Sequence, residues 1–388
     1  MQAGDWSFPT VIRFGPGRIA ELPEVLALLR IERPLLVTDE GLAPLPMVAD
    51  IVGQLERAGI DARLYGEVQG NPTASNVQGG LELLRGEDRD GVIALGGGSA
   101  LDAGKTIAMM ARQQRPLWEY VDGDDAWMHV DPKAIAPVVA IPTTAGTGSE
   151  VGRAAVILDE EAHQKKIVWH PGMLPKMVIS DPQLTIGLPP NITAWTGIDA
   201  MVHAIEAVCS PAYHPMAEGI GIEAIRRVAR WLPAAVADGT DIEARGNMLV
   251  AASMGATAFQ KGLGSVHSIS HVVGAFYNTH HGLTNAVVLP FGLTQNLSAC
   301  ADKLAHLAAV LNLEERSAGG FIDYIYALRE QLGIPGSLSD IGVDDARAEE
   351  IGRLAFDDPS TPSNARPVDA QDLERLFLAA QSGDPGRL

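Results

Sequence analysis

Four histidines cluster within fifteen residues of the C-terminal half of the chain. Ten histidines are spread over 388 residues, so composition alone places about 0.4 of them in such a window. The window contains His267, His271, His280 and His281. Upstream, Asp199 and His203 stand four residues apart among small and apolar residues. This spacing puts a carboxylate and an imidazole on one face of a helix, and His267 and His271 repeat it.

These residue types predict a metal site. A buried aspartate is costly unless it is paired or coordinated, and imidazole and carboxylate groups suit Fe²⁺ or Zn²⁺. A single histidine on an apolar helix is more often a packed core residue, and a closed structural metal site is a further alternative. We interpret the nearby Glu206 as a surface charge and Asp181 as a turn residue, rather than as ligands.

Two glycine-rich turns compete as phosphate-binding sites. The first spans residues 15–20, and Asp39 follows it by about 20 residues, as in the dinucleotide-binding fingerprint. Its Pro16 lacks an N–H group, which weakens that interpretation. The second, Gly96-Gly97-Gly98-Ser99, follows a buried apolar run and opens a helix, whose N-terminus favours a pyrophosphate. We favour the second turn, although a tight turn without a ligand has the same pattern.

A third polar loop, at residues 141–150, carries hydroxyl groups at positions 143, 144, 147 and 149 beside flexible glycines. It also follows a predicted strand. Because open α/β sheets bind ligands at the carboxyl ends of their strands, we expect a nucleotide along this edge.

The pattern of elements changes once along the chain. Before residue 185, short apolar runs alternate with helical stretches, which indicates a parallel α/β sheet covered by helices on both faces. The predicted strands are Val11–Phe14, Pro34–Thr38, Ala62–Tyr65, Gly91–Leu95, Pro137–Ile141 and Ala154–Leu158. The rest of the chain is mostly helical, and Asn191 is the expected N-cap of its first helix. We predict two domains, 1–185 and 186–388.

Composition excludes several classes of protein. Twenty-nine Lys and Arg against 48 Asp and Glu give a net charge of −19, which opposes binding to nucleic acid and to anionic membranes. Two cysteines cannot build a disulfide framework. The N-terminus does not resemble a signal peptide, and no apolar run approaches the ~20 residues that span a bilayer. We therefore expect a cytoplasmic protein.

The glycine turn with Asp102, the 142–150 loop, the segment from Gly197 to Glu206, and Gly262-x-Gly-x-Val-His267-x-x-x-His271 together resemble the iron-containing (group III) alcohol dehydrogenases. The similarity runs from the first strand to Pro367. It implies an α/β dinucleotide-binding domain with a parallel sheet, an all-α metal-binding domain as in dehydroquinate synthase, and a cleft between them.

The resemblance also implies roles for individual residues. Asp199, His203, His267 and His281 match the metal ligands of the family, and the ion is Fe²⁺ or, alternatively, Zn²⁺. His271 matches a histidine beside the metal and the cofactor, and we assign it the catalytic role of proton relay. The family often has Pro-His-Gly where this chain has His280-His281-Gly282, so His280 has no assigned role.

The NAD contacts implied by the resemblance lie in the N-terminal domain. They are Asp39, Asn71, Gly97, Gly98, Ser99, Asp102, Thr143, Thr144, Thr147, Ser149, Val156, Lys165 and Leu184. A carboxylate at position 39 accepts hydrogen bonds from the adenosine ribose and repels a 2′-phosphate, which favours NAD over NADP.

The implied activity is reversible hydride transfer between a small alcohol and nicotinamide through a metal-bound alkoxide. The expected partners are a small alcohol or aldehyde and further copies of the chain, in a dimer or larger homo-oligomer. An NAD- and metal-using lyase of the dehydroquinate-synthase type is an alternative, but it uses a different ligand pattern. A non-catalytic nucleotide-binding or assembly protein is another, although every metal position carries a ligand type.

Overall fold

A computed structural model describes residues 10–123, 125–162 and 164–388. The chain divides into two compact units between Gly187 and Leu188. We call them the N-terminal and the C-terminal unit. The sequence alone placed the division after residue 185.

The described part of the N-terminal unit contains eight strands and four α-helices. The strands are β1 (Val11–Phe14), β2 (Pro34–Asp39), β3 (Arg63–Val68), β4 (Gly91–Gly96), β5 (Val138–Pro142), β6 (Ala154–Asp159), β7 (Gln164–Trp169) and β8 (Met177–Ser180). The helices are α1 (Leu22–Leu29), α2 (Pro46–Arg57), α3 (Ala74–Gly86) and α4 (Gly98–Met110).

Six of the strands form one parallel sheet in the order β1-β8-β5-β4-β2-β3. All residues of β4 and β5 are buried. Alternate residues pack on opposite faces: Val92 and Ala94 join a core with α3 and α4, while Ile93 and Leu95 join one with α1 and α2. The predicted parallel sheet is therefore confirmed, and its continuous apolar strands follow from burial on both faces.

β6 does not belong to this sheet, in contrast to our expectation. It pairs with β7 as an antiparallel ribbon. Asp159 ends one strand and Gln164 begins the other, and a parallel connection needs a dozen residues or more. The short connection therefore dictates the antiparallel arrangement.

The C-terminal unit is helical, as predicted. Its α-helices are α5 (Pro190–Cys209), α6 (Pro215–Ala237), α7 (Ile242–Ala258), α8 (Ser265–Tyr277), α9 (His281–Val310), α10 (Ala318–Gln331), α11 (Ala348–Phe356) and α12 (Ala370–Ser382). α5 packs against α6, α7 and α9, which accounts for its burial on nearly all sides. Its N-cap is Pro189 rather than Asn191, since Pro190 already occupies the first helical position.

Among the described residues, the structure contains no helix with the length and apolar character required to cross a membrane.

Candidate metal centre and nucleotide-binding loops

One face of α5 carries three buried polar side chains, Asp199, His203 and Glu206. Their spacing of four and then three residues keeps all three on the same side of the helix. Such a polar row inside a helical core is costly unless its members find partners.

α8 and α9 bring two further imidazoles to this face. His267 lies in the first turn of α8, and His281 is the first residue of α9. His280 is the N-cap of α9, and its Nδ1 accepts a hydrogen bond from the Leu283 N–H. The sequence had left His280 without a role, and the structure gives it this capping function.

The structure brings Asp199, His203, His267 and His281 together. One ligand atom from each lies within 4.8 Å of the others. His281 Nε2 lies 3.8 Å from Asp199 Oδ1, and His203 Nε2 lies 4.0 Å from the same oxygen. Three imidazoles and one carboxylate converging in this way fit a divalent cation such as Fe²⁺ or Zn²⁺.

The state of His203 supports this fit. Burial lowers the pKa of His203 to about 4, although the Asp199 carboxylate opposes the shift. The imidazole is therefore neutral near pH 7, as a metal ligand must be. Its Nε2 is the nitrogen that lies near Asp199, and its Nδ1 is buried without a hydrogen-bond partner among the described residues.

Glu206 is not the surface charge that we expected. It is buried, its Oε1 accepts a hydrogen bond of 2.9 Å from the Val266 N–H, and its Oε2 lies 2.6 Å from His267 Nδ1. Burial opposes protonation of His267, but the Glu206 and Asp199 carboxylates outweigh it and raise its pKa. A proton on Nδ1 facing Glu206 leaves Nε2 as the nitrogen that faces the cluster.

His271 lies beside the cluster. Its ring stacks on that of His281 with centroids 5.4 Å apart, and its Nδ1 lies 2.9 Å from Asp358 Oδ2. Burial would raise the pKa of Asp358, but His271 and Ser360 together hold it below its usual value. Sequence reasoning did not identify Asp358, because it lies 87 residues from its partner with no motif connecting them.

In the N-terminal unit, the turn from β4 to α4 has the features of a phosphate-binding site. Gly97 is the N-cap of α4, and the first N–H groups of a helix have no partner within it. A Cβ on Gly98 would lie 2.4 Å from Thr147 Cγ2, and one on Gly97 would lie 3.3 Å from Thr144 Oγ1. The absence of a side chain at Gly98, and to a lesser degree at Gly97, therefore allows the 143–150 loop to pack closely against this turn.

Asp102 contacts two other predicted cofactor residues, Ser149 and Val156. Its carboxylate accepts hydrogen bonds from Ser149 Oγ and the Val156 N–H, and Lys105 Nζ lies 3.2 Å away. Lys105 is buried and also donates to the Ser149 and Ala154 carbonyl oxygens. The loop and β6 are thus held against α4 by protein contacts alone.

The other predicted contacts lie as follows. Asp39 ends β2, and its Oδ1 accepts hydrogen bonds from the N–H groups of Gly41 and Leu42. Burial raises the pKa of Asp39. A Cβ on Gly96 would lie 3.2 Å from Asp39 Oδ2, so this carboxylate adjoins the glycine turn.

Five of the predicted contacts remain, namely Asn71, Ser99, Thr143, Lys165 and Leu184. Ser99 Oγ donates to the Gly70 carbonyl oxygen next to Asn71, and Thr143 N–H donates to the Gly96 carbonyl oxygen. Lys165 lies on β7 opposite Leu158, and Leu184 is partly buried against the core that includes α1 and α2.

The other glycine-rich turn is already occupied by a carboxylate of the protein. Asp181 accepts hydrogen bonds from the N–H groups of Gly17 and Ile19, at 3.1 and 3.0 Å. Asp181 also caps the turn at 182–185, so the prediction of a turn residue is confirmed. The N–H groups that a phosphate would need at residues 15–20 are therefore engaged.

Two family models match the chain. Residues 9–182 match the model described as iron-containing alcohol dehydrogenase, and residues 193–381 match the C-terminal model of the same family.

Individual proteins are similar over nearly the full length. A 1,3-propanediol dehydrogenase of Klebsiella pneumoniae is 36% identical over 385 residues, covering 97% of this chain and 98% of the relative. An NAD-dependent methanol dehydrogenase of Bacillus methanolicus is 33% identical, covering 96% and 98%. The crystal structure of a 1,3-propanediol oxidoreductase superposes with a TM-score of 0.93 at 35% identity, covering 98% of this chain and 100% of that one.

Proposed function

This chain belongs to the iron-containing alcohol dehydrogenase family and is an oxidoreductase of that type, and we propose that it interconverts small alcohols and aldehydes with NAD as the hydride carrier. The observation that carries this proposal is the convergence of one carboxylate and three imidazoles on a common point in the C-terminal unit.

We propose that Asp199, His203, His267 and His281 hold the metal ion, and that the ion is Fe²⁺ or, alternatively, Zn²⁺. A divalent cation supplies Lewis acidity, which polarises a carbonyl group and acidifies a hydroxyl group. The protein contributes a fixed ligand geometry, since Glu206 orients His267 and the start of α9 positions His281.

The proposed dinucleotide site is the edge of the sheet formed by the β4–α4 turn and the 143–150 loop. Gly97, Gly98 and Ser99 would receive the pyrophosphate at the start of α4, beside the hydroxyls of Thr143, Thr144 and Thr147. The remaining proposed contacts are Asp39, Asn71, Asp102, Ser149, Val156, Lys165 and Leu184. The carboxylate of Asp39 would select NAD over NADP.

We propose His271 as the group that relays the proton, with Asp358 as its positioning residue. The Asp358 carboxylate fixes Nδ1 of the ring, so Nε2 is left to exchange a proton. We expect His271→Ala to lower kcat about 10²-fold or more and to alter the pH dependence of kcat.

His306→Ala is the matched control, because this histidine is exposed on α9. An unaltered pH–rate profile and turnover in His271→Ala would exclude the relay role.

We further propose that the enzyme acts in the cytoplasm as a homo-oligomer, a dimer or larger. Its two cysteines are both free and buried, which suits a reducing compartment. Val11 and Phe14 expose apolar side chains on β1, an edge strand of the sheet, and this favours association.

The decisive experiment measures the metal content of the purified protein and follows NADH absorbance at 340 nm with a panel of small aldehydes. We expect NADH oxidation that a chelator abolishes and that Fe²⁺ or Zn²⁺ restores. Absence of turnover on every carbonyl compound, with metal bound, would contradict the proposed activity.

A further inference from the structure

A single amide nitrogen contacts most of the donor set of the proposed metal site. Asn285 is fully buried on α9, one turn after His281. Its Nδ2 lies 2.7 Å from Asp199 Oδ1, 3.2 Å from His267 Nε2 and 3.1 Å from His281 Nε2. Sequence analysis gave no indication of a role for this residue.

The Asp199 carboxylate, a proposed metal ligand, determines which way the Asn285 amide points. An ionised carboxylate only accepts hydrogen bonds, so the amide nitrogen and not its oxygen must face Asp199 Oδ1. This orientation leaves Asn285 Oδ1 buried without a hydrogen-bond partner among the described residues. The protein therefore accepts an unsatisfied carbonyl oxygen in order to direct the NH₂ group at the donor atoms.

The Nε2 atoms of His267 and His281 both face the amide nitrogen of Asn285. His267 Nδ1 faces the Glu206 carboxylate, and His281 Nδ1 lies 3.1 Å from Ser270 Oγ, so in both rings Nε2 is directed towards Asn285. Without a positive charge, three buried electron-rich atoms near one point repel one another. The two amide hydrogens carry partial positive charge and are directed at these three atoms.

We propose that Asn285 stabilises the metal-free form of the donor set and gives up these contacts when an ion binds. This inference rests on the proposed function, because it takes the four donors to be metal ligands. An amide that contacts the donors only in the metal-free protein lowers the free energy of that form alone. Its removal therefore strengthens ion binding, whereas loss of a group that supports the ligated site weakens it.

The test compares ion affinity in full-length wild type and Asn285→Ala after the ion has been stripped with a chelator. Zn²⁺ and Co²⁺ are titrated against a chromophoric competitor, and Tm is measured with and without each ion. We expect the variant to bind each ion about tenfold more tightly, as loss of a hydrogen bond to a charged group predicts. Its Tm should fall in the metal-free state and stay near that of wild type in the ion-bound state.

Two further variants make the result interpretable. Asn285→Ser keeps one hydroxyl hydrogen and should fall between wild type and alanine in affinity. Asn296→Ala removes another buried amide of α9, which bonds to Asn364 and Ser265 rather than to the donors. This control should lower Tm equally with and without ion and leave the affinity unchanged. If the alanine variant does not fold, the serine variant decides the sign.

Weaker or unchanged ion binding in the Asn285 variants would overturn this proposal while leaving the metal site intact. A wild-type protein that binds neither ion would overturn the metal site as well.

Discussion

Glu206 determines which nitrogen of His267 faces the cluster. Its carboxylate lies 2.6 Å from Nδ1, so the free lone pair of the ring is on Nε2. Partners of this kind raise the basicity of a ligand and fix its orientation. Glu206 is therefore a positioning residue, because it acts by orienting His267.

Glu206→Gln should weaken binding of Zn²⁺ or Co²⁺ about 10–100-fold, because the amide is a poorer acceptor and adds a competing donor. Chelator competition on the full-length protein measures the change. The matched control is Glu223→Gln, a partly exposed glutamate paired with Arg226 on α6. Equal affinities in wild type and Glu206→Gln would show that Glu206 serves packing alone.

Asp39 is expected to set the preference between the two dinucleotides. Asp39→Gly, or the isosteric Asp39→Asn, should shift the NADP/NAD ratio of kcat/KM towards NADP by about tenfold, or ~1.4 kcal/mol. The physical reason is loss of charge repulsion against a 2′-phosphate. Glu40→Gln alters an exposed carboxylate next to it and serves as the control. An unchanged ratio in both Asp39 variants would refute the assignment.

At the scale of single residues, the sequence reveals site residues that are regularly spaced on one helix. It does not reveal those that lie far from their partners along the chain. Asp199 and His203 are recognisable four residues apart, and Glu206 continues the same face. The spacing of Glu206 is thus a usable signal of its burial, although glutamates on helices are usually exposed. Asp358 and Asn285 reach their partners only through tertiary packing, so no local pattern marks them.

At the scale of elements, α5 depends on close approach by its neighbours. A Cβ on Gly255 of α7 would lie 2.8 Å from the Ala200 carbonyl oxygen, and one on Gly282 of α9 would lie 2.6 Å from that of Trp195. Gly255 thus allows α7 to approach α5, and Gly282 allows α9 to bring His281 near Asp199. The helix that carries two of the proposed ligands is therefore positioned by backbone contacts as well as by its apolar side chains.

Gly282→Ala should push α9 away from α5, because a backbone oxygen cannot rotate aside as a side chain can. We expect a loss of about 1–3 kcal/mol in stability and weaker ion binding. Chemical denaturation and chelator competition measure the two effects. Gly219→Ala on α6, where a Cβ would meet nothing within 4 Å, should be neutral or slightly stabilising. If Gly282→Ala binds the ion as wild type does, this close approach is not needed for the site.

Most elements follow from the sequence, and the exceptions have physical reasons. β4, β5 and the first four residues of β2 are continuous apolar runs, which burial on both faces requires. β7 begins with polar and charged residues, and β8 has only four residues, so neither has a distinctive local pattern. The antiparallel pairing of β6 could not be predicted because its partner strand was not recognised.

At the scale of the whole molecule, the two ligands are assigned to different units. The four proposed metal donors all lie in the C-terminal unit, and the proposed NAD contacts all lie in the N-terminal unit. Each ligand should therefore stabilise its own part of the chain first. This division can be tested without a substrate.

Ion removal should increase amide hydrogen exchange in α5, α8 and α9, and NADH should protect residues 96–102 and 143–150. A ligand present at 100 times its Kd stabilises the native state by about 2.7 kcal/mol, or roughly 100-fold in the population of open forms. Exchange followed by mass spectrometry locates both effects, and peptides of α2 provide the internal reference. Protection by the metal ion confined to the sheet would contradict the assignment.

The carboxylate of Asp181 has a consequence for the choice between the two glycine turns. It is tethered beside the N–H groups of Gly17 and Ile19, so its effective concentration there far exceeds that of any dissolved anion. A nucleotide phosphate that binds at this turn must displace the Asp181 carboxylate, which is also negatively charged. We therefore expect the diphosphate of the proposed coenzyme to bind at the β4–α4 turn, because Asp181 already holds the N–H groups that it would need at residues 15–20.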